Sequence, residues 1–530
     1  MAAQGSIADL PPHLARYVVD QDYPSYSPRD HAVWRHILCR LTAHLKDKAH
    51  PSYLEGLAAA GIGTERIPRM EEMNACLGRL GWRAAAVRGF IPPAVFTELQ
   101  ARGVLAIAAD IRNHEHIEYT PAPDIVHESA GHAPIIKDAR YAEYLRRAGV
   151  AGFKAIASRE DGAVFEAIRH LSVVKEDPAS TPEDLRRAEA GLVQAQASRT
   201  YVSESTKASR LYWWTAEYGL VGSLDRPRIY GAGLLSSIGE SSRCLTSAVP
   251  KIPLSLGCAD QDFDITRMQP QLFVARDFDH LFEVLEAFEA TLAWKRGGDY
   301  GLEEARRART VNHLVLAGDL EVTGQVAARI PGPPREDGMA TLLAVLKGPV
   351  QVSRGGHSVQ AEPWPGPALV AFGPADPGPS APGSPTPGPF ALALHGGLEI
   401  AGTRLDGHRA EGLRATLQGR PLELPAEALL FVSPGLPGVA GGPGDPEAWD
   451  RWFGEQDPFG GGEAEALARR RKAEALPARL GELYLEVARM RAEGQVKTAR
   501  LLQIREELSQ YPDDWLLRGE VGELLGQPGT

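Results

Sequence analysis

The chain of 530 residues has no apolar run approaching the roughly 18 residues that a membrane-spanning helix requires. Its N-terminus also lacks the basic start and apolar core of a secretory signal peptide. Cysteine is scarce: Cys39, Cys76, Cys244 and Cys258 lie far apart and form no C-x-x-C pair. Such usage favours reduced thiols over a disulfide framework. These absences predict a soluble, cytoplasmic protein that has no membrane partner.

Positive charge is also in short supply, with 57 lysines and arginines against 68 aspartates and glutamates and a net charge of -11. This balance argues against a nucleic-acid partner, whose binding requires clustered positive charge. Apolar residues make up 43% and charged residues 24% of the chain, as in ordinary globular proteins. A chain of this length exceeds a single core, so we expect two or three domains. No feature of the sequence predicts an oligomeric state.

One short stretch, Pro123 to His132, carries two histidines and several carboxylates, the usual material of a divalent-metal site. On a straight α-helix, the five-residue spacing of His127 and His132 would place their side chains about 140° apart. We therefore expect His132 to lie at or beyond a helix end, where Gly131 would permit a break. The spacing differs from the H-E-x-x-H helix of zinc proteases. Two ordinary polar helix residues are the alternative, and a third ligand has to come from elsewhere.

Glu217 is the candidate for that third ligand, because it interrupts the aromatic and apolar stretch from Leu211 to Leu220. A carboxylate among apolar side chains is costly unless it is paired with a cation. An ion pair with a buried arginine is the alternative to metal binding. Together with His127 and His132, Glu217 would form a 2-His-1-carboxylate set, which favours non-haem Fe(II) and O₂ chemistry. Zinc hydrolases also use two histidines and a glutamate, so hydrolysis stays open at this point.

The remaining patterns divide the chain into predicted regions. Helical spacing follows a Ser27-Pro28 cap, and a charged helical stretch over about 159–200 is predicted to be a solvated helical hairpin. Past about residue 315 the patterns indicate short strands broken by Gly and Pro, and helical spacing returns near the C-terminus. The predicted regions are a flexible leader (1–20), a catalytic domain (21–315), a β-rich module with Pro/Gly-rich linkers (316–450) and a helical C-terminal segment (451–530).

Many longer motifs occur in the order found in one enzyme family. They are Ile67-Pro68, Gly89-Phe90-Ile91-Pro92, Ile111-Arg112, Tyr119-Thr120-Pro121, Pro123-Asp124 with His127-Glu128, Gly131-His132, Tyr212-Trp213 with Glu217, Tyr230 to Glu240, and Gln269-Pro270. On these motifs, the chain resembles the pterin-dependent aromatic amino acid hydroxylases from about Asp22 to about Arg296. The resemblance implies a helical catalytic domain, so the predicted fold class is mainly α, followed by the small β-rich module and the short C-terminal helical segment.

The resemblance also implies the reaction and its cofactors. Fe(II) would be held by His127, His132 and Glu217, and would act with O₂ and with tetrahydrobiopterin or a related reduced pterin. One oxygen atom would go to the ring of an aromatic amino acid and the other to the pterin. Tyr212, near the iron, and Glu128, near the pterin, are the implied catalytic residues.

The implied substrate site consists of Arg112, Thr120, Trp213 and Ser236. An arginine can bind the carboxylate of an amino acid through a charge-assisted pair of hydrogen bonds. A surface charge is the alternative for Arg112. Trp213 is the residue found in the phenylalanine and tyrosine enzymes of the family, so tryptophan is disfavoured as the substrate.

The implied pterin site consists of Ile91, Phe96 and Glu128, since an aromatic face can stack on a flat ring. Packing in the core is the alternative for Ile91 and Phe96. A metal-bound histidine usually donates its second N–H to a carboxylate or carbonyl, and we expect Asp124 or Glu128 to accept it.

The chain departs from the family pattern in several places. Ala106 stands where animal enzymes carry a histidine on the pterin side, and Asp110 stands where Tyr or Phe is common. The charged stretch over 159–200 adds length between His132 and Tyr212. About 210 residues follow the predicted catalytic domain, and no function is predicted for them.

Overall fold

The computed structural model describes residues 9–114, 117, 124–265, 267–373, 387–454, 463–473 and 475–526. Three regions follow one another along the chain: a helical N-terminal domain, a large β-sheet and a group of C-terminal helices. Within the described ranges, no helix is both long enough and apolar enough to cross a membrane.

The N-terminal domain is built from helices with two small sheets at its periphery. Its helices are α1 (Pro12–Ala15), α2 (Pro28–Leu45), α3 (Ser52–Ala59), α4 (Met70–Leu77), α5 (Pro93–Ala101), α6 (Ala139–Lys154), α7 (Arg159–Glu176), α8 (Pro182–Ala197), α9 (Glu204–Tyr212), α10 (Ala232–Leu235), α11 (Ile238–Arg243), α12 (Phe278–Glu289), α13 (Ala293–Arg296) and α14 (Gly298–Ala308). Strands β1 (Arg83–Val87) and β2 (Val104–Ala108) pair in parallel. The second sheet has the order β4-β3-β6-β5, from β3 (Leu220–Ser223), β4 (Arg226–Ile229), β5 (Lys251–Pro253) and β6 (Leu272–Ala275).

Helix α2 shows how the sequence forms this domain. Ser27 and Asp30 form a capping box, in which each side chain accepts from the other's backbone N–H, and Pro28 occupies the first helical turn. The apolar positions that predicted the helix, including Trp34, Ile37 and Leu41, are buried in the main hydrophobic core.

Residues 9–20 belong to the segment that we expected to be a flexible leader, but here they pack against the domain. Leu10 and Leu14 are buried in a small apolar cluster with Leu99 and Ala106. Val18 forms an isolated antiparallel bridge to Val87, at the end of β1. The prediction therefore does not describe this part of the leader, because its leucines complete a core.

The charged stretch between residues 159 and 200 forms an antiparallel hairpin of α7 and α8. Both helices begin with capping boxes, Ser158 with Asp161 and Thr181 with Asp184. Only Val164 and Ala188 are buried within the two helices. The hairpin is thus held by its caps and charges and by few apolar contacts with the domain.

The described strands between residues 312 and 441 form one extensive sheet, so the prediction of a mainly α chain holds only for part of the molecule. Its strands are β7 (Asn312–Leu316), β8 (Leu320–Pro331), β9 (Thr341–Arg354), β10 (His357–Ser358), β11 (Ala368–Phe372), β12 (Gly388–Leu394), β13 (Leu398–Asp406), β14 (Arg409–Leu417), β15 (Arg420–Leu422), β16 (Glu427–Ser433) and β17 (Gly438–Gly441). The order is β12-β13-β14-β16-β11-β9-β8-β7-β17, with β10 beside β9 and β15 beside β14. Two apolar clusters cover its faces, and one of them also contains Leu302 and Ala305 of α14. The short apolar runs between Gly and Pro residues predicted single strands. They could not predict the size of the sheet, because it depends on pairing between strands that are distant in sequence.

The C-terminal helices return to the N-terminal domain. They are α15 (Pro446–Phe453), α16 (Glu463–Ala473), α17 (Ala478–Glu493), α18 (Thr498–Glu507) and α19 (Trp515–Leu524). Leu483, Tyr484 and Leu517 are buried in the same core as α2. Arg35 of α2 donates to Glu520 of α19 over 2.5 Å. These helices therefore complete the core of the N-terminal domain.

Helix α16 extends this return across the edge of the N-terminal domain. Arg469 pairs with Asp177 and Arg470 with Glu176, at the end of α7. Arg470 and Arg471 also lie within 3.8 and 3.7 Å of Asp110, beside the loop that carries Arg112. Three consecutive arginines, Arg469 to Arg471, thus pair with carboxylates of this chain.

Candidate metal centre and active site

The two candidate histidine ligands lie on one π-helical segment, His127–His132. The Ala133 N–H donates to the Glu128 carbonyl five residues earlier, over 3.2 Å. This wider turn brings residues five apart to the same side, as the four-residue spacing does on an α-helix. His132 is the last residue of this segment and so lies at a helix end, as expected, but the wide turn brings the two histidines together without the predicted break at Gly131. Gly131 serves close packing instead, because a Cβ there would meet the Ala232 carbonyl oxygen at 2.6 Å.

A second π-helical segment, Trp213–Glu217, carries the carboxylate. The Tyr218 N–H donates to the Trp213 carbonyl over 2.8 Å, again across five residues. Thr215 anchors this segment, since its hydroxyl donates to the Leu211 carbonyl and accepts from the Tyr144 hydroxyl. Wide turns of this kind are frequent at functional sites.

The two segments bring three side chains to one point. Nε2 of His127 is 3.1 Å from Oε2 of Glu217, and Nε2 of His132 is 3.0 Å from its Oε1. One ligand atom from each residue lies within 4.8 Å of the other two. That spacing suits coordination bonds of about 2.0–2.2 Å from two imidazoles and a carboxylate to one divalent ion. The donor set therefore fits a metal, and it does so with residues from two distant parts of the chain.

The charges within this cluster balance one another. Burial raises the pKa of the Glu217 carboxyl, but the adjacent His132 and His127 outweigh burial and hold that pKa well below its usual range. Burial lowers the pKa of His127, but Glu217 and Glu128 outweigh it and raise the pKa to about 9. Glu217 is thus an anion at neutral pH, as a metal ligand has to be.

The orientation of His127 is fixed by Ser236. Nδ1 of His127 lies 3.0 Å from the Ser236 hydroxyl, which itself donates to the Ala232 carbonyl over 2.7 Å. Because that serine proton is already used, its oxygen accepts from Nδ1–H, and Nε2 is left for a metal. We had expected Asp124 or Glu128 to accept this N–H. The signal for Ser236 was present only as a motif position, with no sequence spacing that ties it to His127.

Asp124 and Glu128 have other hydrogen-bond partners. Asp124 accepts the backbone N–H of His127 over 3.1 Å, and so begins the histidine-bearing turn. Glu128 is buried and accepts the Ala108 N–H of β2 over 3.3 Å. Burial raises the pKa of Glu128 to about 8, although the neighbouring His127 lowers it. Its carboxyl therefore holds a proton over part of the neutral pH range.

Arg112 is buried and faces Asp124 through two parallel hydrogen bonds, Nε to Oδ2 at 2.7 Å and Nη2 to Oδ1 at 2.8 Å. A third donor, Nη1, reaches the Ile117 carbonyl over 3.2 Å. Asp124 thereby joins the predicted substrate arginine to the turn that carries His127. The other predicted substrate residue on this loop, Thr120, lies outside the described residues.

Trp213 lies in an aromatic stack beside the cluster. Its ring is 4.3 Å from that of Phe263 and 4.6 Å from that of Tyr218, measured between centroids. Its Nε1 donates to Oε1 of Gln269 over 3.1 Å, and the backbone N–H of Gln269 donates to the buried Glu240. The predicted substrate wall is thus held from behind by two polar residues that we had seen only as family motif positions.

Two of the residues predicted for the pterin, Ile91 and Phe96, lie in the segment that packs near Tyr212. Ile91 and Phe96 are partly buried against the apolar cluster of Leu10 and Leu14. The Phe96 ring meets the Tyr212 ring edge-on at 5.8 Å, and the Tyr212 ring is 6.3 Å from that of His132. Both the core-packing alternative and a ligand-facing role are compatible with this partial exposure.

The family profile of biopterin-dependent aromatic amino acid hydroxylases matches residues 15–174 and 188–301, just over half of the 530 residues. The chain belongs to this family. The match leaves out residues 175–187, which comprise the end of α7, the turn and the first residues of α8.

Individual relatives carry a more particular name. Phenylalanine-4-hydroxylase of Pseudomonas aeruginosa is 30% identical over 276 residues, covering 52% of this chain and 88% of the relative. Phenylalanine-4-hydroxylase of Mesorhizobium japonicum is 29% identical over 301 residues, covering 56% of this chain and 93% of the relative. A Chromobacterium violaceum phenylalanine hydroxylase structure with bound iron(III) and 7,8-dihydrobiopterin is 27% identical, covers 52% of this chain and 85% of its own, and has a TM-score of 0.41.

Proposed function

We propose that the chain is an Fe(II)- and tetrahydropterin-dependent monooxygenase that converts L-phenylalanine to L-tyrosine with O₂. The observation that carries this proposal is the meeting of His127, His132 and Glu217 on two π-helical segments in a member of this family. Relatives named phenylalanine-4-hydroxylase support the choice of substrate. The reaction belongs to the catabolism of aromatic amino acids.

In this proposal Nε2 of His127, Nε2 of His132 and the Glu217 carboxylate hold the iron. Such a set of two neutral nitrogens and one carboxylate would leave further positions on the ion open to other ligands. Bound there, Fe(II) and a reduced pterin supply the O₂ activation that ring hydroxylation requires. Ser236 keeps the His127 ring turned so that Nε2 meets the ion.

Arg112 binds the substrate carboxylate in this proposal. Each terminal nitrogen of its guanidinium carries two hydrogens, and the hydrogen bonds to Asp124 and Ile117 use one on each. Among the described residues, this leaves one N–H group on each terminal nitrogen for a second carboxylate, and Asp124 keeps the guanidinium in place. Thr120 would assist there, and Trp213 would form the wall against the substrate ring.

Glu128, Ile91 and Phe96 are proposed to bind the pterin, and Tyr212 to line the space near the iron. A pterin ring carries N–H donors, and a buried carboxyl such as Glu128 can accept from them or hold a proton beside them. Ala106 and Asp110 replace residues that are common elsewhere in the family. We therefore expect the pterin contacts near these two positions to differ from those of relatives.

The decisive experiment reconstitutes the metal-free chain with Fe(II), then supplies tetrahydrobiopterin, O₂ and phenylalanine. We expect tyrosine by chromatography, and none when Zn²⁺ replaces Fe(II). Glu217→Gln should lower iron affinity and tyrosine formation at least about 100-fold, because metal ligands act as a unit. The exposed Glu183→Gln is the matched control.

Competition among phenylalanine, tyrosine and tryptophan tests the substrate. A dominant product from tyrosine or tryptophan would keep the chemistry and change the substrate. No hydroxylated product from any of the three with iron bound would refute the proposal. Stoichiometric zinc with peptidase activity would support a hydrolase in its place.

A further inference from the structure

Helix α5 presents an amide to the active site that the function described so far does not use. Gln100 is only 1% exposed, and its Nε2 donates to the Tyr212 hydroxyl over 2.8 Å. Its Oε1 is buried and has no hydrogen-bond partner among the described residues. The neighbours of Gln100 on this helix, Leu99 and Phe96, belong to an apolar cluster.

This arrangement is unfavourable for folding alone. A buried carbonyl oxygen that lacks a partner loses its hydration without a compensating hydrogen bond. A leucine has similar volume and would fill the same space without that loss. The amide therefore needs a reason beyond packing, and its single hydrogen bond leads to Tyr212.

Tyr212 occupies a sensitive position. It ends α9 and immediately precedes the π-helical segment that carries Glu217. Its ring lies between those of Phe96 and His132, at 5.8 and 6.3 Å. Because an amide N–H can only donate, the Tyr212 oxygen accepts from Gln100, and its own O–H proton is left to point elsewhere.

We propose that Gln100 is a positioning residue that fixes the direction of the Tyr212 hydroxyl beside the metal centre. By occupying the acceptor lone pair on the α5 side, the amide turns the O–H proton away from α5. A hydroxyl held in one direction costs no reorganisation when a ligand binds beside it. The expected kinetic effect rests on the proposed function. The hydrogen bond between Gln100 and Tyr212 is independent of it.

The kinetic test compares Gln100→Leu, Tyr212→Phe and the double variant. For Gln100→Leu we expect the tyrosine formed per pterin oxidised to fall about 3- to 10-fold, with KM for phenylalanine and Fe(II) affinity changed less than 2-fold. In the Tyr212→Phe background, Gln100→Leu should have no further effect, because the hydroxyl on which it acts is gone. The exposed Gln196→Leu is the matched control.

A second readout needs neither metal nor turnover. The metal-free chain is labelled with carbon-13 at the tyrosine Cζ, whose resonance responds to hydrogen bonding of the hydroxyl, and Tyr212→Phe assigns the Tyr212 signal. We expect Gln100→Leu to shift this signal and Gln196→Leu to leave it unchanged. Tm of Gln100→Leu should be equal to or above that of the parent.

The outcomes separate cleanly. The inference would be overturned if Gln100→Leu changed neither the Tyr212 signal nor the tyrosine formed per pterin oxidised. It would also be overturned if Gln100→Leu lowered that ratio further in the Tyr212→Phe background. If the parent chain forms no hydroxylated product, the proposed function fails, and the Tyr212 signal then decides alone whether Gln100 positions the hydroxyl.

Discussion

Two buried arginine–carboxylate pairs lie at different places in this molecule. Arg112 and Asp124 lie beside the metal cluster, with side chains 3% exposed, and Arg35 and Glu520 join α2 to α19, with side chains 4% and 5% exposed. Both arginines also donate to a backbone carbonyl, of Ile117 and of Glu65 respectively. The chemistry is the same in the two places, but the surroundings are not.

The difference lies in what reaches each guanidinium. Arg112 lies on the loop that leads to the turn carrying His127, and in the proposed function a substrate carboxylate becomes its second anion. Arg35 is enclosed by α2, α19 and the chain around Glu65, where no ligand is needed. A buried ion pair is weak evidence for stability by itself, because desolvation offsets its attraction. Its location in the fold decides whether it serves binding or assembly.

Of the variants that test this comparison, Glu520→Ala is expected to have the largest effect on the free energy of unfolding. Removing the carboxylate leaves the Arg35 guanidinium buried without its anion, which should lower the free energy of unfolding by about 3–5 kcal/mol. Urea titration measures this loss. Glu523→Ala removes a half-exposed partner of Arg491 and should cost under about 1 kcal/mol. Equal losses from the two variants would contradict an assembly role for the Arg35 pair.

The buried carboxylate of Glu204, which accepts backbone N–H groups, should make the stability of the fold depend on pH. Glu204 accepts the N–H groups of Ile156 and Ala293, and burial raises its pKa to about 7. The unfolded state loses this proton near the ordinary value of 4.5 and the folded state only near 7. Stability should therefore fall as pH rises from about 4.5 to 7, by up to about 3 kcal/mol, and level off above.

Glu204→Gln should flatten this pH dependence, because a neutral amide has no proton to lose. Denaturation at a series of pH values provides the measurement, with Glu183→Gln as the exposed control. A slope that is the same in Glu204→Gln and in the parent would assign the pH dependence to other groups.

The binding role of the first pair predicts a smaller effect on energy but a specific effect on kinetics. Arg112→Lys keeps the charge and loses the planar fork, so KM for the amino acid should rise about 10- to 100-fold, or about 1.5–3 kcal/mol. Steady-state kinetics at saturating pterin measures it. Arg35→Lys should leave KM unchanged, and a parallel rise in both variants would show that Arg112 acts only through folding.

The smallest effect is expected when the second pair is removed whole. Arg35→Leu combined with Glu520→Leu leaves no unpaired charge, so its unfolding free energy should lie within about 1 kcal/mol of the parent. The same urea titration compares it with Glu520→Ala. A double variant as unstable as the single one would mean that the pair contributes attraction well beyond its desolvation cost.

Sequence reasoning identified the metal-binding candidates but not their local geometry. His127, His132 and Glu217 stood out by residue type and context, whereas the wide turns that unite them depend on backbone hydrogen bonds that follow no side-chain period. The C-terminal helices illustrate another limit. Helical spacing of Leu480, Leu483 and Val487 indicated a helix, but the surface it buries against was 450 residues away in sequence. Periodicity reports which face is apolar and gives no information on its partner.

The two π-helical segments have a consequence for how this chain tolerates change in length. Each wide turn corresponds to an α-helical turn with one residue added, so loss of one residue closes it into an ordinary α-helical turn. Loss of Ser129 or Ala130 would leave the two histidines four residues apart, a spacing that an α-helix also brings to one side. When distant relatives are aligned, a single gap between these histidines therefore predicts an α-helical turn and does not by itself argue against metal binding.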